Sequence, residues 1–245
     1  MINRLPQGAD PSTRFINPRL GIIIPVYNEG ENIGDTLADI DRKVSTPHRI
    51  YIVYDFDEDN TLPVVKRHMM SGMDIVLLKN PVRGVVGAIK TGLKSAGEEY
   101  LLVTMADLSD DYADVDIMCE AMERGCDVVC GSRYMKGGRQ IGGPFIKRTV
   151  SRIAGLSLHV LARIPTHDPT NSFKLYRKSL LDTVRIESDG GFEIGLEIVV
   201  KAHSSGFKVC EVPTVWRDRQ KGESRFKILK WAPKYLKWYI FAFMK

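Results

Sequence analysis

Apolar residues run without alternation through five short stretches, at 20–26, 49–54, 74–78, 101–105 and 127–130. Runs of that kind read as strands covered on both faces. Between them the apolar spacing turns helical, through Ile33, Leu37, Ile40 and Val44 in 31–44 and through Val85, Ala88, Ile89 and Leu93 in 84–95. Helices are also expected at 63–70 and 112–124. Strand and helix alternating over short connections predict an α/β fold, a mainly parallel sheet flanked by helices. After Gly131 the rhythm changes. Gly137-Gly138 and Gly142-Gly143-Pro144 mark a long loop, followed by a helix at 145–161, a strand at 171–176, a helix at 192–203 and a last strand at 208–215. Residues 1–18 hold three prolines and read as a loose arm.

The polar residues gather where the strands end. Tyr27-Asn28-Glu29 follows the first, Asp55, Asp57, Glu58 and Asp59 follow the second, and Asp107, Asp110 and Asp111 follow the fourth. Ligands of open α/β sheets bind at that edge, and carboxylates there suit a divalent ion carrying phosphates. Asp110 or Asp111 also suits the N-cap of the next helix. Residues 1–130 therefore read as a nucleotide-binding half and 131–218 as the half that completes the pocket.

Charge locates a second feature. The net charge is +5, yet eight Lys/Arg and one acid, Glu223, fall within 219–245, so the rest of the chain is slightly acidic. A nucleic-acid-binding face spread over the fold is not indicated. Cys119, Cys126, Cys130 and Cys210 have no CxxC or zinc spacing and read as buried free thiols of a reducing compartment. The five histidines show no metal-ligand spacing. Neither a signal-peptide core nor a spanning stretch of about 18 uncharged apolar residues is present, and a cytoplasmic protein is expected.

At this point a family resemblance emerges. The pieces IPVYNEGENI (24–33), YDFDEDNT (54–61), VRGVVGAIKTGL (82–93), MADLSDD (105–111), GSRYMKGG (131–138), IKRTVSR (146–152), HDPTNSFKLYR (167–177) and EVPTVWRDRQKGESRF (211–226) occur in order over about 200 residues. In them the chain resembles inverting family 2 glycosyltransferases of the GT-A fold, above all the dolichyl- and polyprenyl-phosphate mannose and glucose synthases. The resemblance implies a catalytic domain over 1–218. Its donor would be a nucleotide-sugar of the GDP-mannose or UDP-glucose type, with Pro25, Tyr27 and Glu29 lining base and ribose and Asp55 on the base. Arg83 and Gly84 would lie against the nucleotide, and Asp107 would bind Mg²⁺ or Mn²⁺ on the diphosphate. Two departures stand out. Met105 replaces the first acid of the usual Asp-x-Asp-x-Gln and is a poor ligand for a hard cation, leaving a metal that is weakly held, helped by Asp110 or Asp111, or partly replaced by Arg and Lys. Tyr54 replaces the first acid of the usual Asp-Asp pair, leaving guanine and uracil both open.

The acceptor side is cationic. A sugar hydroxyl needs a general base, whereas a lipid monophosphate is already an anion and needs only positioning cations. Arg133, Arg148, Arg217, Arg219 and Arg225 are offered for that task, with Arg133 and Arg219 in catalytic roles; Lys147 and Arg152 read as solvated charges. Asp168 and Asn171-Ser172 would orient the sugar or brace a turn. Glu193 and Glu197, four apart on one helix, keep a hydroxyl acceptor open: a lipid-linked saccharide or a cell-surface polysaccharide precursor. A nucleotide-sugar-binding scaffold with weak catalysis is the third reading. In the tail, Lys227, Lys230, Lys234 and Lys237 form a stripe beside Ile228, Trp231, Tyr235, Trp238, Tyr239, Phe241 and Phe243. That pattern predicts a basic amphipathic helix on an anionic membrane surface, peripheral on the cytoplasmic face. The resemblance also allows a separate membrane-anchoring subunit.

Overall fold

In the computed structural model the described residues are 18–219 and 228–244; the arm before Pro18, Arg225 and Lys227 lie outside them. The strands are β1 (Leu20–Val26), β2 (His48–Tyr54), β3 (Ile75–Lys79), β4 (Tyr100–Val103), β5 (Val128–Ser132), β6 (Arg139–Ile141), β7 (Lys174–Arg177), β8 (Val209–Pro213) and β9 (Val215–Arg217). The helices are α1 (Ile33–Lys43), α2 (Thr61–Met70), α3 (Val85–Ser95), α4 (Val115–Glu123), α5 (Phe145–Leu161), α6 (Lys178–Thr183), α7 (Ile194–Ser204) and α8 (Ile228–Phe241). Seven strands form one sheet in the order β3-β2-β1-β4-β7-β5-β8, and β6 pairs with β9 in a small parallel ribbon.

The unalternating apolar runs are explained by the two cores. Ile22, Ile24 and Leu102 face a core closed by α1, α2 and α4, while Ile23, Leu101 and Val103 face one closed by α3 and α7. Every inner strand thus buries both faces. The chain winds outward from β1 through β2 to β3, then returns to place β4 on the other side of β1. That reversal opens a crevice past the carboxyl ends of β1 and β4. Pro25 is tolerated there because β4 stops pairing at Ile23.

Several expectations are corrected. β7 runs antiparallel between β4 and β5, which brings its start, at Phe173 and Lys174, to the crevice edge. The expected last strand is two, β8 and β9, broken after Pro213, whose ring removes a ladder donor. The expected helix at 112–124 starts as a 3-10 turn that Asp111 caps by accepting from the Ala113 amide. Of the four cysteines, Cys126 and Cys210 are joined in a disulfide, and only Cys119 and Cys130 are buried free thiols. The pair is 84 residues apart in sequence, and only the β5–β8 pairing brings it within 6.1 Å, Cα to Cα.

Candidate active site

The loops after β1 and β2 are laced together. The Asn28 amide donates to both Asp59 oxygens, the Glu29 amide to Thr61 Oγ1 at 2.9 Å, and the Gly30 amide to Asn60 Oδ1. Asn28 takes a left-handed backbone, φ 55°, which asparagine tolerates better than most residues. Tyr27 stands exposed at the rim with its ring edge-to-face on Phe56, 5.3 Å between centroids, a flat-sided wall. Phe56 is a member that motif reading missed. Asp55 is buried below it, accepting from Asn80 Nδ2 at 2.7 Å and from the Gly84 amide at 2.9 Å. Asp55 therefore fixes the loop in front of α3. Gly84 sits at φ 106°, and a Cβ on Gly87 would meet the Val82 carbonyl oxygen at 1.8 Å, so both positions require glycine. Arg83 is exposed at this mouth.

Past β4 the chain folds tightly around Asp107. Thr104 Oγ1 donates to Asp110 Oδ2 at 2.8 Å, and the Tyr112 hydroxyl to the Met105 carbonyl at 3.0 Å. Burial, with Asp107 nearby, pushes the Asp110 carboxyl up to about 7. Asp111 is engaged by Lys43 and Arg217. Neither neighbour therefore offers an open carboxylate to assist Asp107, and Met105 packs against the core on the α3 and α7 side. Asp107 is held by the Ser109 amide on Oδ1 and meets Arg219 Nη2 on Oδ2 at 3.1 Å. The same Nη2 lies 3.1 Å from Glu29 Oε1, while Glu29 Oε2 accepts from Asn32 at 2.7 Å. Among the described residues no three His, Cys, Asp or Glu form a ready metal cage. Two hard carboxylate oxygens already converging on one cationic nitrogen nevertheless fit Mg²⁺ or Mn²⁺, which takes its remaining ligands from phosphate and water.

A second cluster lies past β5. Arg133 grips Asp168 through Nε at 2.6 Å and Nη2 at 2.9 Å, with the Arg133 amide adding a third bond at 3.1 Å. Asp168 is fully buried, and burial opposed by the neighbouring Arg133 leaves its carboxyl below the ordinary range. Arg133 also reaches Ser151 on α5 and lies over the Tyr134 ring. Lys147 is half-buried rather than solvated. Burial and then Arg133 lower its ammonium pKa, and Asp107, Asp218 and Arg219 also act on it. Its signal in the sequence was its place one turn into a helix beside a glycine-rich loop. Arg152 is exposed, as expected, and Arg148 lies against Phe145. Behind the cluster Lys174 is wholly buried, and its Nζ has no hydrogen-bond partner.

The structure thus brings Glu29, Asp107 and Arg219 into one group, Arg133 and Asp168 into a second, and Asp55 with Gly84 into a third. Arg217 stands aside on Asp111. Glu193 and Glu197 are not open bases. Glu193 accepts from the Gly190 and Gly191 amides at 2.8 and 2.6 Å; Glu197 accepts from the Glu187 and Ser188 amides at 2.6 and 2.7 Å and from Lys201.

Comparison with known proteins places this geometry. The family described as Glycosyl transferase family 2 matches residues 21–185. The chain is 29% identical over 214 residues to a dolichol-phosphate mannosyltransferase of Pyrococcus furiosus, covering 85% of this chain and 59% of that protein. It is 26% identical over 242 residues to a polyprenol monophosphomannose synthase of Mycolicibacterium smegmatis, covering 92% and 91%. Its fold matches a mannosyltransferase from Pyrobaculum calidifontis solved with GDP-Man and Mn²⁺, at TM-score 0.60 and 18% identity, covering 86% of this chain and 59% of that one.

Proposed function

Because the chain belongs to glycosyl transferase family 2 and has the GT-A fold, we propose that this glycosyltransferase moves a hexose from a nucleotide-sugar to a polyprenyl or dolichyl monophosphate. The observation that carries the acceptor class is the condition of Glu193 and Glu197: both are consumed by backbone amides. Neither of these two carboxylates is therefore open to act as a base, which suits a phosphate that needs no deprotonation. The names of the two relatives support the same acceptor.

In this reading 1–130 is the donor half. Tyr27, Phe56 and Pro25 flank the base and ribose, Asp55 and Gly84 shape the loop beneath them, and Arg83 meets the donor at the mouth. Asp107 holds Mg²⁺ or Mn²⁺, which when bound neutralises charge on the leaving diphosphate. The acceptor half, 131–218, is braced by Arg133 and Asp168 and lined by Lys147 and Arg148. A phosphate oxygen held there attacks the anomeric carbon from the face opposite the nucleoside diphosphate, inverting it.

A membrane surface supplies the lipid. α8 corrects the expectation for its aromatic side: Trp238 is buried, and Tyr235, Tyr239 and Phe241 pack inward. The exposed apolar residues at this end are Phe243, as expected, with Leu236, Ile240 and Met244, and α5 exposes Phe145, Ile146, Val150, Ile153, Val160 and Leu161. Ser157 and Tyr239 join the two helices by a 2.9 Å hydrogen bond. Adjacent apolar stripes with Lys234 and Lys237 between water and lipid suit peripheral docking. No helix among the described residues is long and apolar enough to cross a membrane.

The test is transfer of radiolabelled hexose from GDP-mannose and UDP-glucose onto polyprenyl phosphate in anionic vesicles, with and without EDTA. Metal-dependent label in the lipid phase is expected. Label only on a saccharide hydroxyl, or nucleotide binding without turnover, would overturn the reading. If vesicles fail to bind the chain but a co-expressed membrane protein does, the apolar stripes belong to an anchoring subunit.

A further inference from the structure

We infer that Arg219 occupies the donor's metal position in the donor-free protein, and that Glu29 joins Asp107 as the second carboxylate of that position in place of Met105. The inference rests on the nucleotide-sugar reading and concerns how its cleft is kept neutral before the donor arrives.

The two acids come from opposite sides of the crevice, Glu29 after β1 and Asp107 after β4, and each is fixed by its other oxygen. The Glu29 backbone is tied as well, through its amide to Thr61. What lies between them is the Arg219 guanidinium, its Nη2 3.1 Å from each acid and its Nε 3.3 Å from Asp107 Oδ2. Removing that cation would leave two carboxylates facing each other in a half-buried site, an arrangement that like-charge repulsion opposes. The pair therefore calls for a cation, and a divalent ion bridging Glu29 Oε1 and Asp107 Oδ2 would take the point where Arg219 Nη2 now stands. Arg219 enters from the chain two residues past β9, whereas the acids are set by the sheet. The exchangeable partner is the arginine. Once a divalent ion takes its place, the phosphates that arrive with the ion give the guanidinium new acceptors. Met105, turned into the core, takes no part.

Mn²⁺ binding to the full chain without nucleotide, followed by the electron paramagnetic resonance of free Mn²⁺, tests this directly. Arg219→Gln is expected to bind Mn²⁺ at least tenfold more tightly than the parent, Arg219→Lys to show little gain, and Arg219→Gln/Glu29→Gln to lose the gain. Equal affinity in the parent and Arg219→Gln, with both folded by thermal melt, would overturn the exchange. A gain that survives Glu29→Gln would overturn the role of Glu29. Since the titration needs no turnover, failed hexose transfer with the expected Mn²⁺ pattern would sink the acceptor reading alone. Transfer with unchanged Mn²⁺ affinity would sink only the exchange.

Discussion

Two arginines that look alike in the sequence sit in opposite situations. Arg133 gives its fork to a single carboxylate, Asp168, which is fully buried, and adds its own amide to the same partner. Arg219 divides its guanidinium between two carboxylates, Nη2 on Glu29 and Nη2 with Nε on Asp107, both partly open to solvent. A bidentate pair in a dry place holds structure together, because separating it strands a buried charge. A guanidinium shared by two anions at a water-lined crevice can be exchanged for another cation at modest cost. The difference teaches that an arginine in a substrate motif has to be read through its partner. In the proposed function Arg133 would be a positioning residue that joins β5 to α5, and Arg219 the arginine placed to meet substrate.

The largest effect expected from breaking this contrast is on stability at the first pair. Asp168→Asn leaves the buried Arg133 guanidinium without its counter-charge and should cost about 3–5 kcal/mol. Denaturant unfolding measures it. Asp107→Asn, where Arg219 keeps Glu29 as a second partner, should cost clearly less in the same assay. Because the folded Asp168 carboxyl lies below its ordinary range, its contribution is full above the unfolded value of about 4 and falls away as pH drops through the folded one. In the Asp168→Asn variant that acid limb should flatten. Similar losses from the two substitutions would erase the distinction between the arginines.

Turnover should reverse the ranking. Asp107→Asn keeps the shape of the loop but removes the hard anionic oxygen on the diphosphate side, and a loss of about 10²–10³ in transfer rate is expected, as for loss of one electrostatic partner of a transition state. Hexose transfer at saturating donor, on protein shown to be folded, decides it. An activity within a few-fold of the parent would mean that Arg219 alone suffices to neutralise the leaving diphosphate.

The sequence made some of this visible and hid the rest for physical reasons. The twice-covered strands declared themselves as unbroken apolar runs, whereas the need for glycine at 84, where φ is positive, and at 87, where the Val82 carbonyl leaves no room for a Cβ, shows only in the fold. Asp107 stood out as one of three acids that follow a core strand, and the family resemblance singled it out among them. The Arg133–Asp168 pair was not, since 35 residues and two loops separate its members and only the antiparallel insertion of β7 brings them together. The disulfide was hidden because only the parallel pairing of β5 with β8 brings Cys126 and Cys210 together. Lys147 was misread because its helix carries exposed apolar residues, so a charge on it looked like surface. The aromatic side of α8 was misassigned for the converse reason: aromatic residues beside lysines suit a core edge and a membrane equally.

The smallest effect sharpens the comparison at the first cluster. Lys174 stands behind Arg133 and Asp168, fully buried, with no hydrogen-bond partner for Nζ. Burial lowers its pKa, with Cys130 and Asp168 acting in the opposite direction. A cation in that position either completes a three-charge network or is simply tolerated, and the sign of one substitution separates the two. If the Arg133–Asp168 pair is complete by itself, Lys174→Met removes an unsatisfied polar group while keeping volume, and should stabilise the fold by about 1–2 kcal/mol at neutral pH. The pH dependence carries the same information. With the folded pKa below the ordinary lysine value, the unfolded chain binds the extra proton between the two, so stability of the parent should rise with pH across that window. The methionine variant should lack that rise. A destabilised Lys174→Met protein would instead show that Asp168 needs both cations, and the pair would have to be redrawn as a buried triad.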